Sequence, residues 1–220
     1  MILVILSSTT ASAGILFGAK GGLFTANMTA IPAGWDDTAF KNGLAGGVYV
    51  NYAFNENLSL QPEVLYVMKG LDGVIINPIF TVDFTGEYNY IEIPVLAMYT
   101  IPTESGFSAF FFVGPSLEIN ISADLNLDGI DHRTRVPLNG SVDYSDLTRA
   151  TGSSFIFGAG CAFGIGPGKI TLDARFDIGL TKVIKGGTST LVLNGESSPW
   201  VEREAESKHL GFALLAGYAF

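Results

Sequence analysis

Eight charged side chains share one kind of position. Lys20, Glu63, Lys69, Glu92, Glu118, Asp173, Arg175 and Asp177 each lie in a stretch where every second residue is apolar, and each lies on the other parity. In the seventh such stretch Thr171, Asp173, Arg175 and Asp177 alternate with Leu172, Ala174, Phe176 and Ile178. In a strand, alternate residues face opposite sides of the sheet. The charges therefore collect on one face. If that face is enclosed, an unpaired charge is very costly, so the cations must meet the carboxylates and be hydrogen-bonded. The chemistry this implies is ion pairing that staples strands across an interior, with His209 on the same parity.

Other constellations offer less. Asp124, Asn126 and Asp128 followed by Gly129 resemble the first half of a calcium loop. The twelfth position is Arg135 where a bidentate glutamate belongs, so any binding there is expected to be weak. His132 and His209 are the only histidines and Cys161 the only cysteine, which leaves no ligand set of metal-site spacing and no disulfide. Cys161 falls on the apolar parity and reads as a small apolar side chain. Serine hydrolysis would have only His209 with Ser207 or Ser189 to work with. Glu196 and the acidic run Glu202, Glu204 and Glu206 read as a solvated rim. Trp200, and with less weight Trp35, read as interfacial or partner-contacting residues. No enzyme, cofactor or metal is expected.

The elements that must hold these residues are strands. Eight alternating segments run over 15–25, 43–54, 58–69, 87–101, 107–122, 153–165, 170–183 and 207–220. The connections at 55–57, 102–106 and 166–169 are short. Those at about 26–42, 71–86, 123–152 and 184–206 are long, and the two kinds alternate. Short turns at one end and long loops at the other is the arrangement of outer-membrane strands. Charged residues make up 15% of the chain, against about 25% in an ordinary soluble protein, while 27 glycines, 16 Phe and 8 Tyr favour strands over helices. No stretch is long and apolar enough for a membrane helix, but a barrel strand needs only about 9–11 residues with one apolar face. Backbone facing lipid must have every amide and carbonyl paired, which requires a closed sheet. The expected fold is all-β: an eight-stranded antiparallel up-and-down transmembrane β-barrel with short periplasmic turns, long extracellular loops and a lumen filled by side chains. Residues 1–13 are expected to be a signal-peptide remnant, with Ala11-Ser12-Ala13 as its cleavage site, and 14–220 the barrel domain.

Four stretches carry a family resemblance: Phe17-Gly18-Ala19-Lys20-Gly21-Gly22-Leu23, Leu60-Gln61-Pro62-Glu63-Val64-Leu65-Tyr66 with Lys69-Gly70, Tyr90-Ile91-Glu92-Ile93-Pro94-Val95-Leu96, and Leu210-Gly211-Phe212 through Gly217-Tyr218-Ala219-Phe220. They resemble strands of the small outer-membrane β-barrel domain proteins, often labelled the porin family and common in the Bacteroidetes. The resemblance covers about 14–220. It implies that Leu210, Phe212, Leu214, Tyr218 and Phe220 form the signal read by the outer-membrane assembly machinery. The family shares a fold and has no single common activity.

The functional expectation is a non-enzymatic protein of the bacterial outer membrane with a structural or surface-exposed role. Its expected partners are outer-membrane lipids, the assembly machinery and an extracellular partner reached through the loops. A net charge of −9 argues against nucleic acid. The alternatives are a binding or transport barrel for a small solute, and a soluble lipocalin-like carrier.

Overall fold

In the computed structural model, the described residues are 14–29, 37–103 and 106–220. The 1–13 segment and Trp35 lie outside them. Among the described residues, eleven strands and one 3-10 turn follow in order: β1 (Ile15–Thr29), β2 (Asp37–Ala53), β3 (Leu58–Ile76), β4 (Phe80–Pro102), β5 (Phe107–Asp131), β6 (Pro137–Asp143), the turn Ser145–Leu147, β7 (Thr151–Ile165), β8 (Gly168–Gly179), β9 (Gly187–Leu193), β10 (Glu196–Glu202) and β11 (Lys208–Ala219). All pairings between strands are antiparallel.

The expectation of eight strands is corrected by this structure. One sheet of eleven strands forms, in the order β10-β9-β6-β5-β4-β3-β2-β1-β11-β8-β7, with β5 also paired to β7. The difference lies in the stretches expected to be long loops. In 71–86, Val82 and Phe84 alternate with Asp83 and Thr85. In 123–152, Leu125 and Leu127 alternate with Asp124, Asn126 and Asp128. The period of two therefore continues, and β3, β4 and β5 run on to Ile76, from Phe80 and to Asp131. Strands β6, β9 and β10 are further pieces of the same stretches, paired onto β5 in turn.

Because β5 pairs with both β4 and β7, the ladder returns on itself through β4, β3, β2, β1, β11, β8 and β7. The first and last strands meet in it. Gly18 lies opposite Ala219, and Phe17 and Phe220 exchange backbone hydrogen bonds of 3.3 and 2.8 Å. The short turns are locally encoded. At 55–57 the Asn55 side chain accepts hydrogen bonds from the amides of Asn57 and Leu58, at 2.9 and 2.8 Å, an Asx turn. At 166 a glycine takes φ +57°, where a side chain would be strained.

The parity of the strands separates two surfaces. Along β3, Ser59, Gln61, Glu63, Leu65, Val67 and Lys69 are buried while Leu60, Val64 and Tyr66 are exposed. Phe111, Phe176 and Leu214 are likewise about half exposed, at 55%, 47% and 53%. On β5 this outward apolar run extends from Phe111 to Ile121 and on β4 from Ile91 to Ile101, and on β8 it starts at Ile170 and reaches Leu180 just past the strand's end. Such a run climbs about 33 Å along the strand, or about 25 Å at the usual tilt, the height of an apolar membrane band. Beyond it the outward residues change to Asn89 and Glu87 on β4, and Asp124 and Asn126 on β5. An irregularity in β5 at the Asn89–Tyr90 level coincides with that change.

Candidate functional site

The interior charges form two clusters. In the first, Lys20 from β1 stands 2.8 Å from Glu63 of β3 and 3.1 Å from Asp173 of β8. Arg175 closes the set at 2.9 Å from each of the same two carboxylates. Gln61 Nε2 donates to Glu63 Oε1 at 2.7 Å. Two cations thus face two carboxylates, all buried. The Lys20 ammonium also lies 4.7 Å from the centre of the Tyr49 ring, and the Arg175 guanidinium 5.4 Å from that of Phe112.

In the second cluster one cation serves three carboxylates. Lys69 Nζ lies 2.6 Å from Glu92 Oε1, 2.6 Å from Glu118 Oε1 and 2.7 Å from Asp177 Oδ2. Strands β3, β4, β5 and β8 are thereby tied at one point. The three carboxylates come close enough together to hold a metal ion, but the Lys69 ammonium already occupies the centre they share. His209 of β11 lies beside this group, its Nε2 3.1 Å from the Tyr90 hydroxyl and its ring edge-on to Tyr88 and Tyr90.

The eight charged residues picked out by parity therefore meet as four and four. The other sequence candidates do not assemble. Asp124, Asn126 and Asp128 sit on extended β5, so their side chains project about 7 Å apart along one face and do not converge as calcium ligands must. Ser189 donates to the Asp143 carbonyl at 2.6 Å and is not engaged with His209. Cys161 is partly exposed. Trp200 packs against a buried apolar cluster.

Sequence reasoning misses that cluster. Beyond the second set of charges, Leu71, Phe84, Tyr88, Leu125, Val142 and Tyr144, with others, form a buried apolar core roofed by Leu147, Val183 and Ile184. It closes the long-loop end of the interior. The signal that could have found it is the persistence of alternation through 80–88 and 123–128. The Tyr144 hydroxyl donates to Glu202 at 2.5 Å, and burial, followed by the hydrogen bond to Glu202, pushes its pKa up. On the rim, Glu204 accepts from Arg149 at 2.9 Å and lies 3.5 Å from Lys182. The Lys182 charge, with the Arg149 hydrogen bond, holds its carboxyl below the usual range. At the short-turn end a cavity of about 90 Å³ enters as far as Lys20 and Asp173, lined by Tyr49, Asn51, Gln61 and Thr171 among others. Ligand pockets run to about 300–1,000 Å³, so this is a vestibule and not a solute cavity.

The sequence matches a known family, described as "Outer membrane protein beta-barrel domain", over residues 7–185. No curated protein matches the chain. Among solved structures, a major outer membrane protein from Thermus thermophilus is similar with a TM-score of 0.50 and 10% identity, over 94% of this chain and 100% of that one. Neisserial surface protein A aligns with a TM-score of 0.44 and 12% identity, over 92% and 95%. The outer membrane protein OprG from Pseudomonas aeruginosa aligns with a TM-score of 0.43 and 10% identity, over 94% and 97%. At 10% identity the likeness to the Thermus thermophilus protein concerns the fold alone.

Proposed function

The chain belongs to the outer membrane protein beta-barrel domain family, and from that premise we propose that it is a sealed, non-enzymatic barrel that presents a sheet outside the cell. Residence in the outer membrane sets aside the soluble lipocalin-like alternative. The single observation that carries the reading is the sequence of barriers inside: one charge cluster around Arg175, a second around Lys69, and the apolar core at the outer end. A buried ion pair adds little net stability over an apolar packing, whereas breaking one is strongly destabilising. The clusters are therefore read as staples that fix strand register and fill the lumen. Lipids of the outer membrane contact the outward apolar band, and the last strand, with Leu210, Phe212, Leu214, Tyr218 and Phe220 outward, is the segment offered to the assembly machinery. The motifs at 60–70 and 90–96 support a barrel of the type common in the Bacteroidetes.

The test is electrical. Purified protein in planar bilayers is expected to give no steady conductance above the bare membrane. Large, reproducible channels would overturn the sealed reading and favour transport.

A further inference from the structure

Outside the apolar band, strands β3 to β6 continue as a sheet whose two faces differ sharply. One face carries Leu71, Val82, Phe84, Leu125 and Val142 into the buried core. No part of the chain among the described residues packs a strand over the other. The pairing register fixes what that other face holds. Glu87 lies opposite Asp124, which lies opposite Asp143; nearer the tip, Asp83 lies opposite Asp128. Like charges directly opposite on neighbouring strands destabilise a sheet. Consistent with this, desolvation first and then the Asp143 and Glu87 charges push the Asp124 pKa up. Of the cations, Lys41 meets this face, 2.6 Å from Glu87. The turn beyond the tip carries Arg133 and Arg135.

A second feature shares the face. Ile76, Thr81 and Ile130 stand in one cross-strand row at its far end, and Ile76 and Ile130 are 63% and 41% exposed. Val192 lies opposite Ser141 on the same side and is 39% exposed. The carboxylates are not gathered closely enough to cage a metal ion. They spread over three strands with aliphatic side chains at their end, and the surface that complements them is extended, positively charged and apolar at intervals.

We propose that this outer face of the β3–β6 extension binds a cationic amphipathic peptide segment, its basic residues against Asp83, Asp124, Asp128 and Asp143 and its apolar residues against Ile76 and Ile130. The proposal rests on the surface-presentation reading above, but its test does not involve conductance, so each can fail alone. Charge attraction of this kind weakens with salt and governs association rate and partner choice.

The experiment uses the full chain in phosphatidylcholine nanodiscs and a short synthetic peptide alternating lysine with leucine. Saturable binding is expected, falling steeply with salt. A variant carrying Asp83→Asn, Asp124→Asn and Asp128→Asn should bind about tenfold or more weakly. Ile76→Ser should reduce the preference for the leucine peptide over one alternating lysine with serine. The variants are compared only after their heat-modifiable gel mobility matches that of the parent. Equal binding by the Asn variant, equal binding of a peptide alternating glutamate with leucine, or binding only to empty nanodiscs would each overturn the proposal.

Discussion

Lys69 on β3 and Asp177 on β8 touch across the interior at 2.7 Å although 108 residues separate them in the chain. The same ammonium holds Glu92 and Glu118 at 2.6 Å. Replacing it by Met leaves three buried carboxylates around an apolar side chain. Removing one partner from a buried ionic group costs about 3–5 kcal/mol, so Lys69→Met should lower the urea midpoint of unfolding well beyond the effect of a surface substitution. The matching variant in the other cluster, Lys20→Met, leaves Arg175 to serve Glu63 and Asp173 and should cost less. Equal losses for the two would mean that the three-to-one arrangement around Lys69 is not what carries the difference.

The membership of these two clusters is legible from parity alone, because a charge on the inward parity of an enclosed sheet has to find a partner. Which charge meets which is not. Lys20 joins Asp173 only because β1 neighbours β11 and β11 neighbours β8, and nothing local to either residue carries that order. The strand count fails for a different reason. A segment of membrane length already supplies enough residues to cross, so Leu125 and Leu127 fall into an expected loop. Their alternation with Asp124 and Asp128 is the same period-two signal, with water outside in place of lipid. The sharp change of outward chemistry between Ile91 and Glu87 marks the membrane border, and it is not the end of the strand.

Gly21 and Gly22 are neighbours with opposite constraints. A Cβ on Gly22 would collide with the backbone carbonyl of Leu214 on β11, whereas one on Gly21 would first meet the Ala45 carbonyl at 3.4 Å, an ordinary contact. Gly22→Ala should therefore disturb the β1–β11 seam and cost about 1–3 kcal/mol, as overpacking generally does. Gly21→Ala should be close to neutral. Heat-modifiable mobility against temperature separates the two, and matching melting curves would show that the seam relaxes freely.

Phe220 closes the ladder through its backbone to Phe17 while its ring is 65% exposed. The backbone bonds need no particular side chain, so Phe220→Ser should leave the assembled barrel's unfolding midpoint nearly unchanged. Assembly into lipid vesicles bearing the purified outer-membrane machinery should slow. If uncatalysed folding into pure lipid slows equally, the ring acts through lipid affinity and not as a recognised signal.

Asp124 and Glu204 both lie outside the membrane band and should respond to pH in opposite senses. The Asp124 pKa is raised in the folded chain, by burial first and by Asp143 and Glu87 after it. Its contribution to stability is therefore full below the unfolded carboxylate pKa and is lost as pH rises through the folded value. Glu204 is held low, first by the Lys182 charge and then by hydrogen bonds from Arg149 and Lys182. What it contributes is present above the unfolded pKa and is lost as pH falls through the folded one. Asp124→Asn should accordingly slow amide exchange in the β5–β6 extension at neutral pH and change little in acid. Glu204→Gln should speed exchange around Lys182 at neutral pH and leave the acid behaviour alone. Amide exchange followed residue by residue at both pH values decides this. An Asp124→Asn variant that exchanges faster at neutral pH would mean that the row of like charges on that face is compensated by contacts other than Lys41.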